Sequence, residues 1–424
     1  MAVTGIGLVT ALGIGTEATW QALVDGRSGV GPVTRFDASS LRSQLAAEQP
    51  GFDAKAFVTN RKSLRIMTRG DQLGYAAAAL ALRDAAWEPD STAGSRVAVY
   101  AGSNKEMPDP EHFREALLAS LDEDRRADVR RFGTAAFESV YPLFYVEGLP
   151  GSLLFFISEA YGFTGSNAYF AGTAESSAVA IGTAFRAIRR GEADVALAGG
   201  FDDPVSWWNF TKLDALEILT DRNDLASAAC RPFDRDRTGS VLGEGAAFLL
   251  LEDLEIARRR GARVYAELVG FGSAFAAADF MTPDEDGVEV AAAVEAALRE
   301  AGSPGDRFGY VAGHGSGTVR GDLSESRGIR SALGSHADTI VGSSIKPATG
   351  HLVGAAGALN AAVAALAVDA GVVPPTLNLE SPDRGCLLDW VPRESRAVDL
   401  NGALAIARGL EGQAVALALG SARR

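Results

Sequence analysis

Ala171-Gly-Thr-Ala-Glu-Ser-Ser-Ala-Val-Ala-Ile-Gly182 lies between an extended segment, Asn167 to Phe170, and a helical pattern that continues to Arg190. A strand, a sharp bend and a helix in that order mark an α/β fold, and enzymes often present a nucleophile at such a bend because the side chain projects from the turn. The positive end of the helix also favours negative charge there, by about 0.3–1 kcal/mol at exposed sites. The residue at the bend is Glu175. A carboxylate accepts an acyl group poorly where a thiolate would accept it well, so the rest of the chain has to explain a glutamate in this place.

Outward from the bend the alternation persists. Arg189-Arg190 and Gly191 end the central helix, and Ala193 to Ala198 reads as the next strand. Upstream, Ala2 to Gly7 reads as a buried strand, Thr16 to Leu23 as a helix with Thr16 as N-cap, Gln72 to Ala86 as a helix and Arg96 to Ala101 as a strand. Residues Glu111 to Phe132 carry dense mixed charge and read as an exposed helix or surface insertion. Phe137 to Tyr161 then turns apolar and aromatic; core is expected for most of it, and the lining of a channel or subunit interface is the sharper alternative.

The chain has 424 residues, 47% of them hydrophobic, which is enough for a large core and two similar halves. Gly261 is a natural boundary, giving 1–260 and 261–424. The net charge of −14, with no strongly basic block, argues against a nucleic-acid partner. Two cysteines, Cys230 and Cys386, with no metal-binding spacing, fit a reducing cytoplasm and no metal. Met1 to Ala18 lacks the basic start of a signal peptide, and the apolar Gly354–Pro374 run is broken by Asn360 and Asp369, so a buried helix is expected there and no membrane span.

The second half adds two strand-to-loop exits that each carry a histidine among glycines: Tyr310–Ala312 into Gly313-His-Gly-Ser-Gly-Thr318, and Thr339–Ser343 into Ser344-Ile-Lys-Pro-Ala-Thr-Gly-His-Leu-Val-Gly354. Loops at the carboxyl ends of strands are where open α/β sheets place their sites. His314 and His351 are therefore candidate site residues. His112 and His336 sit in polar surroundings and read as surface residues. Ser176 and Ser177 face away from the bend on a helix, and Cys230 and Cys386 read as core thiols.

Taken together, these segments resemble the β-ketoacyl-[acyl carrier protein] synthases of fatty-acid and type II polyketide assembly. The resemblance rests on the opening Val3–Gly13, Phe36-Asp37, Arg231-Pro-Phe-Asp234 with Gly243-Glu-Gly245, His314-Gly-Ser-Gly-Thr318 with Asp322 and Glu325, and Lys346 with Gly350-His351 and Gly354–Gly357. It implies a thiolase-like α/β fold of five layers, α-β-α-β-α, from two pseudo-repeated halves. It also implies an obligate dimer and a Cys-His-His site with a neighbouring lysine, here Lys346, for decarboxylative Claisen condensation.

Two departures matter. The family's Thr-Ala-Cys-(Ala/Ser)-Ser reads Thr173-Ala-Glu-Ser-Ser177, and the glycine- and phenylalanine-rich gating loop near the C-terminus reads Ala407-Arg-Gly-Leu-Glu-Gly412. A chain without the thiolate is expected not to condense alone. It resembles the chain-length factor of type II systems, which dimerises with a cysteine-bearing ketosynthase and shapes its polyketide or polyene channel. That resemblance implies Phe137, Tyr141, Arg408 and Leu410 as substrate-contacting residues. It also implies an acyl carrier protein as partner, whose phosphopantetheine arm delivers the chain so that no resident cofactor is needed. Decarboxylation needs only donors for an enolate oxygen, so a malonyl-carrier-protein decarboxylase using His314 and His351 is one alternative. Glu175 as a general base for another acyl reaction is a second. If the histidines only hold the fold, Glu175 is expected to ion-pair with an imidazolium or with Lys346.

Overall fold

The computed structural model describes residues 1–88, 94–105, 110–277 and 281–422, and the side chain of His112 lies outside the described set. The first half forms a five-stranded sheet in the order Asn167–Ala171, Val97–Ser103, Val195–Asp202, Gly245–Glu252, Ala2–Thr10. The first three strands run parallel, and the last two pairings are antiparallel. The second half repeats that pattern: Val341–Ser343, Tyr310–Ala312 and Gly402–Arg408 are parallel, and Gln413–Gly420 and Ala266–Phe275 follow antiparallel. Asp389–Trp390 adds a short edge strand. The sheets join edge to edge at Ala2 with Glu267 and Val3 with Ala266. The repeat is invisible as sequence identity and plain as strand pairing.

Helix Arg69–Asp84 covers the outer face of the first sheet, and Val288–Ala301 with Val319–Leu333 covers the outer face of the second. Between the sheets, Ala174–Arg189 and Ala356–Ala370 pack against each other. The result is the five-layer thiolase-like arrangement that the resemblance implies. Every residue of Ala2–Thr10, Val97–Ser103 and Gly245–Glu252 is buried, which is why these strands read as continuous apolar runs without alternation.

Helix Ala356–Ala370 is apolar all round because both sheets and the other central helix surround it. The apolar window Val353–Ala370 is long enough to cross a bilayer, yet 89% of it is buried inside the protein, so it is a core helix. The two central helices meet closely at Gly357, where an added Cβ would lie 3.0 Å from the Cβ of Ala178.

Three local expectations change. Thr16 is the first helical residue and Gly15 the cap; the Thr16 hydroxyl donates instead to the Ile6 carbonyl at 2.5 Å. The next helix starts earlier than its apolar pattern, at Arg69, because Thr68 and Asp71 form a reciprocal capping box. The aromatic segment 137–161 is only partly core. Leu153 and Phe156 are buried, but Phe137 is 93%, Tyr145 76% and Phe155 62% exposed. Helix Val129–Ser139 buries none of its residues in this chain.

Candidate active site

Glu175 occupies the first turn of helix Ala174–Arg189, after the strand Asn167–Ala171 and the bend at Thr173. Its carboxylate folds back over that bend. The Thr173 N–H donates to Oε1 at 3.0 Å, and the Thr173 hydroxyl donates to Oε2 at 2.8 Å. Burial pushes the carboxyl above its ordinary range, against the hydrogen bonds from Thr173, and the nearby Glu411 adds to the upward shift. Among the described residues Glu175 forms no salt bridge. The ion pair expected with a histidine or with Lys346 does not form, because Thr173 satisfies both oxygens and Lys346 is committed elsewhere.

The second half supplies the rest. The His314 and His351 rings meet edge to face with centroids 5.2 Å apart. Glu325 fixes the first histidine loop, accepting from His314 N–H at 2.6 Å and Gly315 N–H at 2.7 Å. Lys346 Nζ donates to the His314 carbonyl. Burial lowers the Lys346 ammonium to about 8, although Glu325, Cys230 and Asp322 pull the other way.

Burial, then Lys346, His351 and Arg408, hold His314 well below its ordinary value; burial and then Lys346 do the same to His351. Both imidazoles are therefore neutral near pH 7. His351 Nδ1 accepts the Val353 N–H at 2.9 Å, which assigns the ring proton to Nε2. That N–H is a donor held ready by the backbone. Nδ1 of His314 is buried with no hydrogen-bond partner.

A cavity of about 410 Å3 opens onto this pair, bordered by His314, His351, Thr173, Arg408 and Leu410. Glu175 does not line it. Phe137 and Tyr141 do not line it either; Phe137 is exposed and Tyr141 half-buried. Asn104 borders both this cavity and a second hollow of about 410 Å3, where Arg35, Arg69 and Lys105 are paired with Asp203, Glu244 and Asp71.

Arg408 reaches the cavity wall, but its guanidinium is tied into the protein. It donates to Glu289, to the Gly321 carbonyl at 2.9 Å and to the Ser324 hydroxyl at 3.1 Å. Glu289 is a site-supporting residue that sequence reasoning missed; the signal was a cation in a loop where the family resemblance places phenylalanine, which requires a buried anion. Asn360 was read only as an interruption of an apolar run. It donates to the carbonyls of Gly313, at 3.0 Å, and Ile406, at 2.9 Å, tying the central helix to the first histidine loop and to strand Gly402–Arg408.

The remaining candidates are structural. The Ser176 hydroxyl donates to the Thr173 carbonyl at 2.8 Å, and the Ser177 hydroxyl accepts from Ala358 N–H at 2.9 Å. Cys230 and Cys386 are buried free thiols that burial pushes up to about 12. His336, half-buried, is bonded to the Phe308 carbonyl through Nε2 at 2.8 Å. Among the described residues no cluster of three or more His, Cys, Asp or Glu could hold a metal ion.

Residues 1–257 match the family described as "Beta-ketoacyl synthase, N-terminal domain", and residues 265–380 match "Beta-ketoacyl synthase, C-terminal domain". The chain is 36% identical over 415 residues to the 3-oxoacyl-[acyl-carrier-protein] synthase 2 of Coxiella burnetii, covering 97% of this chain and 95% of that one. It is 36% identical over 424 residues to the putative polyketide beta-ketoacyl synthase 1 of Streptomyces halstedii, covering 100% and 98%. Among solved structures, "The ishigamide ketosynthase/chain length factor" superposes with a TM-score of 0.88 at 30% identity, covering 99% of this chain and 98% of that one.

Proposed function

Because this chain belongs to the β-ketoacyl synthase family, we propose that it is the non-condensing, chain-length-factor-like partner of an active ketosynthase in type II polyketide assembly. One observation carries the proposal: the position that would hold the acyl-accepting thiolate holds Glu175, whose carboxylate is folded onto Thr173 and away from the cavity. Thiolate acylation has no counterpart there, since a carboxylate would yield only a reactive mixed anhydride. The exposed apolar side chains Phe137, Tyr145 and Phe155, on three successive helices of one segment, support a docking role. The edge strand Asn167–Ala171 is paired on one side only and is partly exposed, which also fits a partner surface.

In this reading the partner is a homologous ketosynthase that carries the cysteine, and Phe137 and Tyr141 line a channel shared across the interface. Acyl chains arrive on the phosphopantetheine arm of an acyl carrier protein, the chain holds no cofactor of its own, and the two reduced cysteines fit a cytoplasmic setting. Co-expression with a cysteine-bearing homologue is expected to give a stable heterodimer that extends an acyl chain, while the isolated chain gives no ketoacyl product. A homodimer that ignores the homologue, or condensation by the chain alone, would overturn the proposal.

The retained histidine pair favours a second activity, decarboxylation of a malonyl thioester. The malonyl carboxylate leaves as carbon dioxide, its bonding electrons pass into the thioester enolate, and the enolate oxygen takes hydrogen bonds from the donors at the cavity end. Protonation at carbon then gives the acetyl thioester. Purified chain should release carbon dioxide from malonyl carrier protein and lose that activity in His351→Ala; release no faster than in its absence would remove this reading.

A further inference from the structure

The Gly409–Gly412 turn is held at its entry, its centre and its exit. At its entry, Arg408 is held by Glu289, Gly321 and Ser324. Within it, Gly409 N–H donates to the Gln413 carbonyl at 2.9 Å, closing the hairpin between the last two strands. At its exit, the Gly412 carbonyl accepts from Ala276 N–H at 2.9 Å. At its centre, Leu410 N–H donates to the Thr173 hydroxyl at 3.3 Å, and that hydroxyl donates onward to Glu175 Oε2 at 2.8 Å.

The central contact has a direction. A threonine hydroxyl has one proton to give. Glu175 accepts that proton, which leaves the oxygen lone pairs facing Leu410. The carboxylate also takes the Thr173 N–H, so it fixes both the backbone and the side chain of Thr173. Gly409 lies flat against the same carboxylate: a Cβ there would stand 2.7 Å from Glu175 Oε2 and 2.6 Å from Gln413 Oε1, so a larger residue would have to displace those side-chain ends. Thr173, Gly409 and Leu410 all border the cavity, and Glu175 behind them does not.

We propose that Glu175 is a positioning residue that acts through Thr173 to latch the Gly409–Gly412 turn over the bend, shutting the nucleophile position off from the cavity. The functional consequence rests on the non-condensing reading above: a substrate arm entering the cavity ends at His314 and His351. Glu175 is then the replacement that seals the position, beyond merely removing its thiolate. The same seal keeps the carboxylate away from the anionic end of a malonyl group.

The test is hydrogen exchange of the backbone amides of residues 408–413, followed by mass spectrometry on the full chain. Glu175→Ala and Thr173→Val should each raise exchange in that segment at least tenfold, while the central helix Ala356–Ala370 keeps its protection. Glu175→Gln keeps one acceptor oxygen for the Thr173 hydroxyl but turns its NH2 toward the Thr173 N–H, so its exchange should fall between that of the parent chain and that of the Ala variant. Wild-type rates in both Glu175→Ala and Thr173→Val would overturn the latch, and so would a Gln variant that exchanges as fast as the Ala variant. If Glu175→Ala fails to fold, Thr173→Val and Glu175→Gln still decide the matter. Neither a partner nor a carrier protein enters this measurement, so a failed latch and a failed partner role are separate results.

Discussion

Arg408 and Glu289 form an ion pair whose side chains are 8% and 1% exposed, joining the end of strand Gly402–Arg408 to the first turn of helix Val288–Ala301. Removing one member leaves the other charge buried and unpaired, which costs about 3–5 kcal/mol, whereas an apolar replacement of both is often close to neutral. Arg408→Met and Glu289→Leu should each lower the unfolding free energy by about 3–5 kcal/mol, and the double variant should recover most of that loss. Urea denaturation of the four chains gives the coupling directly. Additive losses in the double variant would mean that the two residues do not act as a pair.

The histidine pair sets a pH dependence. His314 and His351 titrate well below 6.5 in the folded chain and near 6.5 when unfolded. Between those values the unfolded chain binds more protons, so stability falls as pH drops below about 6.5. Relative to the His314→Asn/His351→Asn variant, the parent chain should lose up to about 1.4 kcal/mol per pH unit for each imidazole on acidification from about pH 6.5 to 5.5. Parallel stability curves for parent and variant would contradict neutral imidazoles in the fold.

The central helices leave no room at Gly357. A methyl group there would clash with the Ala174 carbonyl oxygen and stand 3.0 Å from the Cβ of Ala178. Gly357→Ala should destabilise the chain by about 1–3 kcal/mol, the usual cost of overpacking, even though alanine is the better helix former. An unchanged or raised thermal midpoint would show that the two helices can move apart at no cost.

Phe137 and Phe155 contribute little to this chain by itself. Changing either to arginine should leave its own unfolding free energy within about 0.5 kcal/mol, as surface substitutions do. Affinity for the cysteine-bearing homologue should fall at least tenfold in the same variants. Titration of the labelled partner measures this, and unchanged affinity would place the interface elsewhere.

Much of the layer architecture was legible because fully buried strands read as unbroken apolar runs and the helices between them keep a helical period. Tyr310–Ala312 forms at the boundaries expected from sequence. The chemistry of the site was legible as two glycine-flanked histidines and a glutamate at a bend. What stayed hidden depends on distances that spacing does not encode. The Arg408–Glu289 pair spans 119 residues of chain, and Leu410 and Thr173 are 237 apart. The aromatic run 137–161 misled because composition reports that apolar surface must be covered, and says nothing of whether the cover belongs to the same chain.

The matching strand patterns of the two halves give the site a division of labour. In the first half Glu175 stands just after strand Asn167–Ala171, in the first turn of the central helix Ala174–Arg189. In the second half Lys346 and His351 stand at the same station, between Val341–Ser343 and Ala356–Ala370. In the proposed function one duplicate thus supplies the acceptor position and the other the proton-bearing groups. Because each is carried by its own sheet, a change at one station need not disturb its counterpart. In the proposed reading a duplicated scaffold retires one half of a reaction and keeps the other half, and Glu175 opposite the histidine pair is the arrangement such editing would leave.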